Sequence, residues 1–163
     1  VPQAKLLIKT QVAANDSGVN FIKERLEKLG FDLSKIILEP ATRDYMTDFL
    51  KIDIALDTFP YPGGGTTCDA LYMGVPVITL AGIRHGSRFG YSILQNAGLG
   101  ELVAFNKEEY IDKAVMLTND IDLLNELHKN LRKIVLGSRV MDEKEYVRVI
   151  EESYIKIIKA NEN

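Results

Sequence analysis

The residues best suited to chemistry lie at positions 63–69, where three glycines precede two threonines, a cysteine and an aspartate. Consecutive glycines let the backbone adopt positive φ and approach a ligand closely. Thr66 and Thr67 stand at the start of a predicted helix, where hydroxyls, free amide protons and partial positive charge favour an anion. Asp69, one turn further, could accept a hydrogen bond from a ribose hydroxyl or support the helix dipole. This glycine turn predicts a phosphate site, and a flexible turn with a threonine N-cap explains the same residues equally well.

Common nucleotide and cysteine motifs do not account for the glycine turn. No Lys stands between the glycines and Thr66, which excludes a Walker loop, and the dinucleotide fingerprint of dehydrogenases is absent after the first predicted strand. Cys68 is interpreted as a small, buried residue whose pKa the helix N-terminus could lower. Because no histidine lies close to it in sequence, cysteine catalysis is not favoured.

A second loop with suitable chemistry, residues 81–88, follows the next predicted strand and contains Arg84, His85 and Arg88. The ends of neighbouring parallel strands meet at one edge of a sheet, so this arginine loop is expected beside the glycine turn. Its cationic and hydrogen-bonding side chains would then lie where two phosphates bind. Two solvated arginines and a surface histidine are the alternative.

A third loop, residues 39–44, follows the second predicted strand. Backbone groups of residues 40–42 could read the edge of a base, and Arg43 could stack on that base or reach a phosphate. A helix cap with an exposed arginine is the simpler interpretation.

Composition argues against several other kinds of site. The net charge of −3 lacks the Lys and Arg excess that nucleic-acid binding requires. One cysteine cannot form an intrachain disulfide, and the only histidines, His85 and His128, have no cysteine cluster beside them, so no metal site is predicted. No apolar run approaches the roughly 20 residues that cross a bilayer. We therefore expect a cytoplasmic protein without cofactor, nucleic-acid or membrane partners, and the initial Val1 suggests a piece of a longer protein.

Strand and helix patterns alternate as far as about residue 117 and are helical beyond it. This order predicts an α/β class, a Rossmann-like doubly wound parallel sheet with C-terminal helices, as a single domain over residues 1–163. Asp53 and Asp57 bracket the third strand and are interpreted as structural. Strands are predicted at 5–10, 36–38, 52–57, 76–80 and 102–103, and helices at 16–29, 43–50 with Thr42 as N-cap, 66–73, 87–97, 107–117, 121–136 and 143–160.

Residues 53–82, which include the glycine turn, resemble the C-terminal catalytic region of the O-linked N-acetylglucosamine transferase and SPINDLY family. The resemblance continues through His-Gly-Ser-Arg at 85–88, Gly-Leu-Gly-Glu-Leu-Val at 98–103 and Asn-Lys-Glu-Glu-Tyr at 106–110. It covers nearly the whole chain and is of a bacterial type. A run of this length and order is far more specific than three glycines.

The resemblance implies a GT-B architecture of two Rossmann-like halves, of which this chain is the C-terminal half that holds most of the donor nucleotide. The implied partners are an N-terminal half, a preceding array of tetratricopeptide repeats and a protein acceptor. Gly64 stands where animal members carry a histidine, so backbone amides would make more of the phosphate contact. The residues that match the donor-binding pattern are Gly64, Gly65, Thr66 and Asp69 in the turn, with Ala41 and Arg43 on the base side.

The reaction that the resemblance implies is an inverting, metal-independent transfer of a sugar to a protein Ser or Thr hydroxyl. Helix N-terminal amides and arginines suit it, because they can take up the charge that develops on the leaving diphosphate. N-acetylglucosamine from UDP is the expected donor, and a GDP-sugar is the alternative. The sequence offers no convincing general base. A non-catalytic nucleotide-binding or sensing module and an interaction domain with an inert turn are the rival functions.

Overall fold

The computed structural model describes residues 1–161 and forms two compact units, Val1–Ile52 and Asp53–Asn163. All strand pairs in this part of the chain are parallel, with one two-stranded sheet and one three-stranded sheet. Parallel strands connected through helices confirm the predicted α/β class. The single domain over residues 1–163 stays a prediction.

The first unit contains strand β1 (Leu6–Lys9), helix α1 (Asp16–Lys28) and strand β2 (Ile36–Glu39). The Asn15 side chain caps α1 by accepting a hydrogen bond from the Gly18 amide, and Gly30 follows the helix with φ of 83°. Both ends of α1 therefore follow the sequence prediction. Ala13 is the only buried residue between Val1 and Ile52.

The helix predicted after Thr42 is wrong. Residues Met46–Lys51 form a short 3₁₀ helix instead, and its N-cap residue, Tyr45, makes no side-chain capping bond. Side chains three residues apart are stacked in a 3₁₀ helix, and Lys51 uses this spacing to bond Asp48 at 2.8 Å. An uncapped start and this ion pair favour the tighter helix over an α-helix.

The second unit is built around strand β4, the middle strand of the order β3-β4-β5. β4 is buried through residues 77–79, as expected for a parallel strand covered on both faces. Fully buried leucines from four helices complete the core: Leu71, Leu94, Leu117 and Leu131. The elements are β3 (Ala55–Leu56), α2 (Gly65–Tyr72), β4 (Val77–Leu80), α3 (Phe89–Asn96), β5 (Val103–Ala104), α4 (Lys107–Asn119), α5 (Ile121–Leu136) and α6 (Glu143–Asn161).

Strand β3 is shorter than the predicted strand at 52–57. Only Ala55 and Leu56 pair with β4, opposite Val77 and Ile78. The Asp57 amide still donates to the Ile78 carbonyl at 2.9 Å, and the carboxylate of Asp57 then turns toward the glycine turn. Pairing with β4 therefore ends at the Asp57 amide. None of the helices within residues 1–161 is long and apolar enough to cross a membrane.

Candidate functional site

The glycine turn leads directly into helix α2. Gly64 is the N-cap residue and makes no side-chain capping bond, and the helix starts at Gly65. The first-turn amides have no carbonyl within the helix to bond, so they remain available to an anion. Thr66 is exposed, whereas the Thr67 side chain is 3% exposed, and Asp69 is half-buried one turn along. The hydroxyl that the structure leaves at the surface is therefore that of Thr66.

The three glycines differ in what they are needed for. A Cβ at Gly63 would lie 2.6 Å from Thr66 Oγ1 and 2.8 Å from Thr67 Oγ1, both far too close. A Cβ at Gly64 or Gly65 would meet nothing within 4 Å. Folding thus requires glycine at 63, while the space at 64 and 65 stays open to something outside the turn.

None of the three glycines of the turn uses the positive φ that glycine permits. Positive φ occurs instead at Gly30, Gly74 and Gly98, each just beyond the end of a helix. Gly64 has φ of −118° and ψ of −82°. The glycine turn relies on the missing Cβ at Gly63 rather than on left-handed backbone.

A buried carboxylate anchors the turn. Asp57 is 7% exposed, and its Oδ1 accepts a hydrogen bond from the Gly63 amide at 2.6 Å while Oδ2 accepts one from Thr79 Oγ1 at 2.7 Å. Burial raises the pKa of the Asp57 carboxyl, and the hydrogen bonds from Gly63 and Thr79 oppose that rise. The sequence indicated a structural role for this residue but not its partners.

Tyr110 also supports this region, through a contact that the local sequence does not predict. Its phenolic hydroxyl donates to the Asp57 carbonyl oxygen at 2.8 Å. Burial, and secondarily the negative charge of Asp57, raise the pKa of Tyr110 to about 12. The ring of Tyr110 packs edge-on against Phe59, with 5.5 Å between centroids. A residue 53 positions away thus holds the end of β3.

The arginine loop follows β4, and the glycine turn follows the neighbouring parallel strand β3, so the expected adjacency at one sheet edge is present. Arg88 is half-buried, donates from Nη1 to the Gly82 carbonyl at 2.9 Å, and lies 4.2 Å over the ring of Tyr91. Arg84 and His85 are exposed. Arg88 is thus bonded within the protein, and the ring of His85 packs edge-on against Phe89, with 5.6 Å between centroids.

The 39–44 loop lies in the first unit, where Ala41 is half-buried and Arg43 is exposed. Next to it, Lys9 at the end of β1 makes an ion pair with Asp48 and lies 3.9 Å from Glu39. Hydrogen bonds from Lys51 and Lys9 lower the pKa of Asp48. Lys9 is therefore engaged in an ion-pair cluster rather than simply solvated.

Cys68 does not have the activated thiol that a helix N-terminus could produce. Burial, followed by the charge of Asp69, raises its pKa. Desolvation therefore disfavours the reactive thiolate at this position. Within residues 1–161 no group of three or more His, Cys, Asp or Glu side chains is arranged to hold a metal ion.

Comparison with known proteins identifies the family of this chain. The sequence profile of glycosyl transferase family 41 matches residues 4–150. The chain belongs to glycosyl transferase family 41. It is 40% identical over 157 residues to the SPINDLY protein of Hordeum vulgare, named a probable UDP-N-acetylglucosamine–peptide N-acetylglucosaminyltransferase, and 38% identical to the Arabidopsis thaliana protein of the same name. Each alignment covers 94% of this chain and 17% of the relative, so the chain spans less than a fifth of these relatives.

A solved structure gives the same assignment. A mutant of the Thermobaculum terrenum O-GlcNAc transferase superposes with a TM-score of 0.85 at 35% sequence identity, covering 94% of this chain and 30% of that one. The predicted family and the predicted GT-B-type α/β fold are therefore confirmed. The predicted donor-site residues, from Ala41 to Arg88, stay a prediction.

Proposed function

We propose that this chain is the nucleotide-sugar-binding half of a glycosyltransferase that moves N-acetylglucosamine from UDP to Ser or Thr hydroxyls of a protein acceptor. The carrying observation is the pair of loops at one sheet edge: an uncapped helix start with two open glycines, and beside it a loop with arginines. Relatives named for UDP-N-acetylglucosamine and peptide substrates support the donor and the acceptor.

In this proposal the first-turn amides of α2 and the Thr66 hydroxyl hold the diphosphate. Arg84, His85 and Arg88 approach it from the neighbouring loop, and Asp69 accepts a hydrogen bond from the ribose. The assignment of Ala41 and Arg43 to the base side rests on the resemblance alone and stays a prediction. Since Thr67 is buried, its contribution is the backbone amide alone.

The reaction we propose is inverting and metal-independent. Negative charge grows on the β-phosphate as the bond to the sugar breaks, and oriented amides and guanidinium groups stabilise it without a bound cation. The acceptor hydroxyl must lose a proton, and the general base is supplied by the remainder of the enzyme or by the donor's own phosphate. The N-terminal half and a tetratricopeptide array would carry most of the acceptor contacts.

Calorimetric titration with UDP and with GDP tests the donor. We expect heat with UDP, weaker or absent heat with GDP, and a large loss of affinity in Asp69→Ala. Stronger binding of GDP would reassign the donor to a GDP-sugar, and no heat with either nucleotide would contradict the donor site. Affinity should be the same in EDTA as in magnesium, because the amides and arginines replace the metal.

A sugar-transfer assay tests the proposal that this chain forms only one half of the active-site cleft. The chain alone should bind nucleotide and transfer no sugar to a peptide. Robust transfer by the chain alone would show that it carries the whole active site.

A further inference from the structure

The Asp57 side chain follows strand β3 and connects it to the glycine turn and to strand β4. Its two oxygens bond the glycine turn through the Gly63 amide and strand β4 through Thr79. We propose that Asp57 is a positioning residue that holds the glycine turn in the conformation that receives the donor diphosphate. This inference rests on the proposed function, and it adds a residue that does not itself touch the donor.

The glycine turn needs an external anchor. Three successive glycines restrict the backbone less than any other residues, and ordering them costs the most conformational entropy. Neither the N-cap Gly64 nor its neighbours supply a side chain that could fix the turn. The Gly63 amide donates to a side chain, and that side chain is Asp57.

A carboxylate suits this position better than a neutral side chain would. Both of its oxygens accept, one from a backbone N–H and one from a hydroxyl, so a single side chain satisfies both donors. Hydrogen bonds to a charged acceptor are shorter and stronger than neutral ones. Burying the charge is unfavourable in itself, as the raised pKa of Asp57 shows. The benefit of this carboxylate therefore lies in the position that it imposes on the glycine turn relative to β4.

The same carboxylate also packs closely against the start of helix α3. A Cβ at Gly90 would lie 2.3 Å from Asp57 Oδ2 and 2.3 Å from Thr79 Oγ1. Gly90 is the second residue of α3, two positions after the end of the arginine loop. Asp57 thus sets the spacing between the glycine turn and the loop that carries Arg84 and Arg88, the two segments expected to share the diphosphate.

Amide hydrogen exchange of the free chain tests the positioning role without any nucleotide. In Asp57→Ala we expect exchange at residues 63–67 to rise by about tenfold or more, while the Ile78 amide in β4 changes less. Asp57→Asn, which keeps an acceptor for Gly63, should restore most of the protection, and Thr79→Val should give a smaller rise. Asp53→Ala, an exposed acid before the same strand, is the matched control and should change nothing.

Titration with UDP connects the ordered turn to binding. Affinity should fall about tenfold in Asp57→Ala and recover in Asp57→Asn, in the same order as the exchange at residues 63–67. Unchanged exchange in the turn, or an equal rise at Ile78, would overturn the proposal, since the latter shows a general loss of stability. If Asp57→Ala does not fold, amide exchange at residues 63–67 is compared in Thr79→Val and Asp57→Asn instead. We then expect a small rise in Thr79→Val and most of the protection kept in Asp57→Asn. Absence of UDP and GDP binding in the unmodified chain would refute the proposed function, and the exchange results would still decide the positioning role.

Discussion

The two units of this chain hold the polar side chains near their strand ends in different ways. In Val1–Ile52 the charged residues Lys9, Glu39, Asp48 and Lys51 form a partly solvated ion-pair cluster. In Asp53–Asn163 a single carboxylate, Asp57, is buried and bonded to an amide and a hydroxyl. The first arrangement relies on charges that water and salt screen, and the second on short bonds within a packed core.

This difference follows from how deeply the strands of each unit are buried. Strand β4 is fully buried through residues 77–79, whereas β1 and β2 are half-exposed and their unit buries only Ala13. A buried core can hold a loop in one conformation, and a half-exposed sheet holds it less firmly. The glycine turn is therefore anchored to a buried side chain, whereas the 39–44 loop begins at Glu39, a member of the partly exposed ion-pair cluster.

The largest effect should come from matched isoleucines in the two sheets. Ile78→Ala removes a fully buried side chain from β4 and should lower the free energy of unfolding by about 2–5 kcal/mol. Ile37→Ala removes a side chain that is 41% exposed in β2 and should cost no more than about 1 kcal/mol. Urea unfolding measures both. Equal losses would mean that the two sheets are equally well packed.

Gly90→Ala should have the next largest effect. The added Cβ forces apart Asp57 and Thr79, and overpacking of this kind costs about 1–3 kcal/mol. Gly86→Ala, where a Cβ meets nothing within 4 Å, is the control and should stay within about 0.5 kcal/mol of the original protein. Similar thermal unfolding of the two variants would show that the space around Asp57 is not tightly filled.

Tyr110→Phe should have a smaller effect that depends on pH. Loss of the hydrogen bond to the Asp57 carbonyl should cost about 0.5–1.5 kcal/mol at neutral pH. The pKa of Tyr110 is raised from 10.0 to about 12, so the folded state keeps a proton that the unfolded state loses in that interval. The original protein should therefore lose stability as pH rises from 10 towards 12, and Tyr110→Phe should lack this contribution.

Unfolding measured at several alkaline pH values decides this point. Tyr61→Phe, whose side chain is 76% exposed, is the control and should keep the pH dependence of the original protein. An identical alkaline slope in Tyr110→Phe would contradict the buried position of the hydroxyl.

The smallest effect on stability should come from Lys51→Ala in the ion-pair cluster. Its side chain is 52% exposed, and exposed ion pairs contribute little. The loss should be below that of Tyr110→Phe and should disappear in concentrated salt, because salt screens the pairs with Glu39 and Asp48. The loss in Gly90→Ala should persist in salt. A salt-resistant loss in Lys51→Ala would remove the contrast between the two units.

The sequence was sufficient where structure depends on near neighbours. Helix α1 starts at Asp16, as predicted, with Asn15 as its cap, and Gly30, Gly74 and Gly98 follow the ends of helices with positive φ. Such features need only a capping side chain or a residue without Cβ at the right position. The long resemblance at residues 53–82 likewise predicted the family that the comparisons confirm.

It was insufficient where structure depends on distant partners. Thr79 lies 22 residues from Asp57, and Tyr110 lies 53 residues from it, so neither contact leaves a local pattern. The 3₁₀ helix at Met46–Lys51 includes Asp48, which pairs with Lys9 from 39 positions away, and the early end of β3 lies beside the Asp57 contacts. Local propensity predicted an ordinary helix and a longer strand because it contains no such information.

In the proposed function, the glycine turn receives the diphosphate of a nucleotide sugar. Amide-resolved NMR of the chain during titration with UDP tests it most directly, since weak binding at millimolar nucleotide is still visible. We expect saturable shifts that are largest at Gly64, Gly65 and Thr66, with smaller shifts in the arginine loop. In Asp69→Ala all of these shifts should be lost. Saturable shifts confined to other parts of the chain, or none at all, would contradict it.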